Sequence, residues 1–147
     1  RLAREVPNIV GIKDTIDNIS HTREIINRVH PFRPEFNVFS GYDEYLLDTL
    51  LLGGHGGIPA TFNFAPHITR GIYQAFIRED LTTAKALQQQ LATLSPLYAL
   101  EQPFFGVIKT AIKLTGVDIS TAVVPPALPL NEEKTALVRN ILARITL

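Results

Sequence analysis

The sequence predicts an α/β fold built on a parallel sheet, and three observations carry that expectation. The run Asn8-Ile9-Val10-Gly11-Ile12-Lys13 is apolar at successive positions, the pattern of a strand covered on both faces. Two more strand-like runs follow, about 20 to 28 residues apart, each after a segment of helical period, and such alternation implies right-handed crossovers. Beyond Pro66 the chain reads as helix alone.

In order, Arg1-Leu2-Ala3-Arg4-Glu5-Val6-Pro7 reads as the last turn of a helix stopped before a proline. The first strand spans 8–13 and ends on Lys13. Asp17 or Asn18 caps a helix over 18–30 with Ile19, Ile25, Ile26 and Val29 on one stripe, closed by His30-Pro31. Phe36 to Ser40 forms a second strand running into Gly41-Tyr42-Asp43-Glu44, and a helix over 43–52 buries Leu46, Leu47, Leu50 and Leu51 before Gly53-Gly54. A turn at His55-Gly56-Gly57 leads to a third strand, Ile58 to Phe62. Helices are expected over 66–79, 81–99, 104–115 and 132–145, the last capped by Asn131.

An eight-stranded barrel needs about 250 residues. This chain has 147, enough for three strand-helix units and extra helices. The expected architecture is the C-terminal part of a (β/α)8 TIM barrel, strands 6 to 8, over residues 1–79, with residues 80–147 as a helical extension of the same domain. A flavodoxin-like open sheet is the competing arrangement. The absence of methionine and the start inside a helix lead to the expectation that the chain is the carboxyl-terminal portion of something longer.

With 46% hydrophobic and 19% charged residues, a packed core is within reach. Formal net charge is zero, and no lysine or arginine cluster interleaves with aromatics, which argues against nucleic acid or an anionic membrane as partner. There is no cysteine for a disulfide or a thiolate metal site, and no apolar run approaches the roughly 18 residues of a membrane helix. A cytoplasmic protein with a small-molecule partner is the default expectation.

Lys13 closes its strand where parallel sheets carry their chemistry. A nucleophilic lysine needs its charge suppressed by apolar surroundings or a neighbouring cation, and the strand offers the former; the alternative is a lysine that points at water. Lys85, Lys109, Lys113 and Lys134 lie in helical segments and read as solvated faces. Gly53-Gly54-His55-Gly56-Gly57 looks like a phosphate cradle, but it lacks the following Lys-Ser/Thr and joins a helix to a strand. It is therefore expected at the stability face of the barrel, with His55 structural. His21, His30 and His67 show no metal-ligand spacing and read as surface or cap residues. Phe104 to Leu114 reads as core or subunit contact.

Three ordered motifs are more specific: N-I-V-G-I-K-D-T from Asn8, F-S-G-Y-D-E from Phe39, and L-G-G-H-G-G-I-P-A-T-F-N from Leu52. Together they resemble the pyruvate-dependent class I aldolases of the dihydrodipicolinate synthase and N-acetylneuraminate lyase family. The run G-I-K-D-T-x-D-N-I-S-H-T-R-E-I-I is most similar to the 2-keto-3-deoxygluconate aldolase branch. The resemblance implies that Lys13 is the Schiff-base lysine, that the substrates are pyruvate and an aldehyde or a 2-keto-3-deoxy acid, and that no metal or other cofactor takes part. A homotetramer is implied by analogy.

By the same resemblance Gly41, Asp43 and Glu44 face the hydroxyl-bearing part of a sugar acid, and Ile58 lies where the third strand passes beside the imine. Thr15 either hydrogen-bonds the substrate or caps the following helix, and Asp43 has the same two alternatives. Ala60 stands where sialic-acid lyases carry serine, which favours a shorter substrate. The family's proton-relaying tyrosine, in a Y-x-x-P setting, is not matched by Tyr42, Tyr45, Tyr73 or Tyr98. Dihydrodipicolinate synthase or N-acetylneuraminate lyase activity is the alternative within the family; a truncated, non-catalytic barrel fragment is the alternative outside it, and a phosphate-binding open-sheet module a third.

Overall fold

A computed structural model describes residues 1–145. After the short helix α1 (Leu2–Glu5), strand β1 (Gly11–Asp14), helix α2 (Ile19–Val29), strand β2 (Asn37–Ser40), helix α3 (Leu46–Leu51) and strand β3 (Gly56–Gly57) alternate. The helices α4 (Pro66–Ile77), α5 (Leu81–Ala92), α6 (Phe105–Leu114) and α7 (Glu132–Leu142) follow. Single 3₁₀ turns occupy Asp43–Tyr45, Ala60–Asn63 and Ser95–Ala99.

The sheet is parallel throughout in the order β1-β2-β3, with Lys13 opposite Phe39 and Phe39 opposite Gly56. Side chains in one cross-strand row share a face, so this register sets Lys13, Phe39 and Gly56 on one side and Asp14, Ser40 and Gly57 on the other. Helix α2 starts where Asn18 accepts a 2.9 Å hydrogen bond from Ser20 N, which settles the cap on Asn18. Asn131 caps α7 in the same way, through Lys134 N at 2.9 Å.

Four expectations need correction, the smallest being that Leu51, expected on the buried face of the helix over 43–52, is 58% exposed. The third strand is not Ile58 to Phe62 but Gly56–Gly57: pairing continues only through Ile58 N, which donates to Ser40 O at 2.8 Å. Pro59 then offers no donor, and Ala60–Asn63 winds into a 3₁₀ turn. The second half of the glycine run is therefore the strand itself, level with the carboxyl end of β2; Gly53, at φ +91°, closes α3 as a left-handed residue. The helix expected over 81–99 breaks after Ala92, because Pro96 has no amide to continue the ladder and instead starts the turn Ser95–Ala99. Finally, β1 is not covered on both faces among the described residues. It pairs on one side only, and Val10 and Ile12 are 62% and 38% exposed.

The main core lies between the sheet's helices and the C-terminal helices. Leu46 and Leu50 of α3 pack with Ile68 and Ile72 of α4, Leu91 of α5, Leu94 just before and Leu97 within the 95–99 turn, Val107 of α6 and Val138 of α7. A buried aliphatic side chain of this size contributes about 1.5–3 kcal/mol. This cluster therefore clamps the loops after β2 and β3 to the helices behind them. A smaller cluster, Ile26, Phe36 and Val38, seats α2 on the sheet.

Candidate active site

The carboxyl ends of the three strands open into a cleft of about 960 Å³. Lys13, Thr15, Gly41, Asp43, Glu44 and Ile58 all line it. Tyr98, Phe104, Phe105 and Lys109 form the opposite wall, from the 95–99 turn and α6. A shallower depression of about 440 Å³ on α2, between Asn18 and Arg28, gathers no comparable set of groups.

Lys13 is the penultimate residue of β1, not its last. It is exposed among the described residues, so the apolar enclosure expected of the strand is not formed on this side. The next residue, Asp14, is 5% exposed and turned to the helical side, where its Oδ2 accepts from Thr22 Oγ1 at 2.8 Å and pairs with His21 Nδ1 at 2.9 Å. This ties the strand end to the first turns of α2, a role the sequence reading missed, and it takes His21 out of the set of plain surface residues. The signal was present in the spacing: residues 21 and 22 fall in the first turns of the helix that follows the strand.

Gly41 is required by its neighbours. Its amide donates to Asp14 O at 2.6 Å, and a Cβ there would stand 2.1 Å from Thr15 Oγ1 and 2.9 Å from Lys13 Cε. The absent side chain makes room for the lysine stem and the threonine hydroxyl. With α2 capped by Asn18, Thr15 is left exposed at the cleft rim.

The two carboxylates of the loop after β2 behave differently. Asp43 is 4% exposed and does not cap α3. Its Oδ1 accepts from Thr61 N at 3.3 Å and Thr61 Oγ1 at 2.7 Å, and its Oδ2 accepts from the Tyr98 hydroxyl. Burial pushes the Asp43 carboxyl above its ordinary range, against the pull of those donors and of Lys13. Burial, then the adjacent Asp43 charge, likewise raises the Tyr98 hydroxyl. Glu44 is half-buried; its Oε2 is buried with no hydrogen-bond partner among the described residues, and burial raises its carboxyl, helped by the nearby charges of Asp43 and Asp17 and opposed by the Ser95 hydroxyl. It has an acceptor to spare.

Ile58 is 52% exposed on the cleft, and Asn63 donates to Ala60 O at 3.0 Å. Lys109 is not a solvated-face residue: it is half-buried and its Nζ donates to Ala122 O at 2.5 Å, because α6 turns its Phe105–Lys109 side to the cleft. Lys134 is likewise engaged, pairing with Glu101 at 2.5 Å and holding that carboxyl below its usual range. His55 is structural, its Nδ1 accepting from Val38 N at 3.3 Å. No group of three His, Cys, Asp or Glu side chains suited to a metal occurs among the described residues, and none of their helices is long and apolar enough to cross a membrane.

A lysine near the carboxyl end of a parallel strand, facing a cleft made by the loops after neighbouring strands, is the site architecture of an α/β-barrel protein. The chain belongs to the Dihydrodipicolinate synthetase family, which it matches over residues 1–145. It is 50% identical over 133 residues to YjhH of Escherichia coli K12, named a probable 2-dehydro-3-deoxy-D-pentonate aldolase, covering 90% of this chain and 44% of that one. It is 43% identical over 146 residues to YagE of the same strain, provisionally named a 2-dehydro-3-deoxy-D-gluconate aldolase, covering 99% and 48%.

The crystal structure of YagE in complex with pyruvate superposes with a TM-score of 0.95, over 97% of this chain and 48% of that one. Dihydrodipicolinate synthase of Thermotoga maritima superposes at 0.86, with 26% identity, over 97% and 48%. The chain thus spans about half the length of the curated relatives it matches. It corresponds to the C-terminal part of the TIM barrel those proteins form.

Proposed function

We propose that the full-length protein is a class I aldolase in which Lys13 forms a Schiff base with the keto carbon of a 2-oxo acid, acting on a 2-keto-3-deoxy sugar acid of the gluconate or pentonate type. The observation that carries this reading is the fit between Lys13 and Gly41: the loop after β2 gives up a side chain so that the lysine stem can enter the cleft. The names of YjhH and YagE, and the pyruvate bound to YagE, support the substrate class.

In the cleavage direction the neutral Lys13 amine adds to the C2 carbonyl and water leaves, giving an iminium. Its nitrogen accepts the electron pair of the C3–C4 bond as that bond breaks; the C4 hydroxyl passes its proton to a base and leaves as the aldehyde. The resulting enamine is protonated at C3, and water releases pyruvate and regenerates the amine. Glu44, with a free acceptor, receives hydrogen bonds from the hydroxyls of the departing arm. Thr15 and the backbone at Ile58 line the imine end.

Tyr98 donates to Asp43, and Tyr45 donates to Asp17 at 2.6 Å, an interaction that pushes Tyr45 up to about 12, so neither is the base. In this reading it is the Y-x-x-P tyrosine of a preceding strand, and the described chain alone is inactive. A homotetramer and a cytoplasmic location belong to the same reading by family analogy.

Borohydride reduction of the full-length protein with pyruvate should add a pyruvyl-sized mass to Lys13 and leave Lys109, the other cleft lysine, unmodified; no gain on Lys13 overturns the mechanism. Dihydrodipicolinate synthase activity is the second reading, favoured by the likeness to the Thermotoga maritima enzyme. A panel of keto-deoxy acids against aspartate semialdehyde separates the two. N-Acetylneuraminate lyase activity is disfavoured by Ala60, which brings no hydroxyl to the cleft.

A further inference from the structure

The loop that carries Glu44 is held from behind by the C-terminal helices. Gln88 of α5 donates through Nε2 to Glu44 O at 2.9 Å and accepts from Leu47 N at 3.3 Å through Oε1. Tyr98, in the turn that follows the Pro96 break, donates to Asp43 Oδ2, while Thr61 in the loop after β3 donates twice to Oδ1. Asp43 therefore joins three segments: the loop after β2, the loop after β3, and the 95–99 turn. The Tyr98 ring is itself fixed, edge-on to Phe104 at 5.2 Å between centroids.

Each partner in this junction has one role available. Asp43 is almost fully buried with both oxygens engaged, so it has no oxygen left over for a ligand. Glu44, one residue later, has an unpartnered buried oxygen. A buried carboxylate without its donors is costly, and the loop would shift to rehydrate it. The direction of the Glu44 side chain depends on that loop staying in place.

We propose that Tyr98 is a positioning residue for substrate recognition: by donating to Asp43 it fixes the loop after β2 so that Glu44 faces the hydroxyl-bearing arm of the sugar acid. The inference rests on the aldolase reading above. It makes the helical segment, outside the strand-loop units, a determinant of which aldehyde arm is accepted. Lys13 reaches the cleft from β1 and makes no hydrogen bond to this junction; it meets the loop at Gly41, whose amide is anchored separately on Asp14 O, so bond formation to pyruvate depends on the junction far less than recognition of the arm does.

The test uses the full-length protein with Tyr98→Phe, Asp43→Ala and the double variant. Tyr98→Phe keeps the ring against Phe104 and removes only the hydroxyl. It should raise KM for 2-keto-3-deoxygluconate about tenfold, the scale of one hydrogen bond to a charged group. The rate of borohydride trapping of pyruvate on Lys13 should stay within about twofold. Because both substitutions remove the same bond, the double variant should cost no more than Asp43→Ala alone. An unchanged KM in Tyr98→Phe, an equal fall in pyruvate trapping, or multiplicative losses in the double variant overturns the proposal. Failure of the unsubstituted protein to trap pyruvate overturns the aldolase reading, and this inference with it.

Discussion

The cleft has two sides built on different terms. On the Lys13 side, β1 pairs with one neighbour, Ile12 and Lys13 are exposed, and the local fit to Gly41 and Thr15 is the main constraint. On the Asp43 side, polar groups are buried and tied by hydrogen bonds between segments far apart in the chain, and the hydrophobic cluster of α3 to α7 lies behind them. The contrast teaches that, on the aldolase reading proposed above, this chain builds the recognition side of the cleft and leaves the reactive lysine open. On the same reading, the enclosure that a nucleophilic amine needs is supplied by residues other than those on the Lys13 side.

Lys13→Ala tests the open side most severely: pyruvate trapping and aldol cleavage in the full-length protein should both fall to background. Retained turnover would move the chemistry elsewhere. Gly41→Ala comes next, since its methyl would collide with Thr15 and the lysine stem; misplacing a reacting group by about 1 Å costs on the order of a hundredfold in turnover. Adding Thr15→Ala should recover part of that loss, whereas no recovery would place the strain outside this contact. On the closed side, Glu44→Gln should raise KM for the sugar acid about tenfold with kcat nearly unchanged, the signature of a lost ground-state hydrogen bond.

The smallest effect is a pH dependence. Burial raises the Asp43 carboxyl above its reference of 3.8, so the folded state holds that proton more tightly than the unfolded one. Stability from this site is then greatest below the unfolded value and declines as pH rises through the folded value. Asp43→Asn cannot titrate, so the melting temperature of the unsubstituted protein minus that of the variant should shrink with rising pH across this window. A difference that grows would mean the donors outweigh burial.

Much of the architecture was legible because it is written in side chains. The apolar runs, the Asn18 and Asn131 caps and the strand-helix alternation are local patterns, and the three motifs carried the candidate residues into one cleft. What escaped was held by backbone or by distance. Gly56–Gly57 pairs through its main chain and offers no side-chain signal of a strand. Tyr98 meets Asp43 across 55 residues, a contact no spacing rule reaches. Ser95-Pro96 was a readable break, overridden by the regular leucines at 81, 87, 91 and 94. Lys109 looked solvated because the direction of α6 depends on packing with α7 and the 60–63 turn.

Gln88 has a consequence for how such a cleft can be modified. Its amide offers one donor and one acceptor to a carbonyl and an amide three residues apart, so it stands in for a missing strand partner. The path of the chain at Glu44 through Leu47 is thereby secured by a side chain from another helix. On the aldolase reading, the cleft-lining side chains at 42 and 44 are consequently where new preferences for the aldehyde can be introduced by exchanging residues, with this backbone brace left as it is.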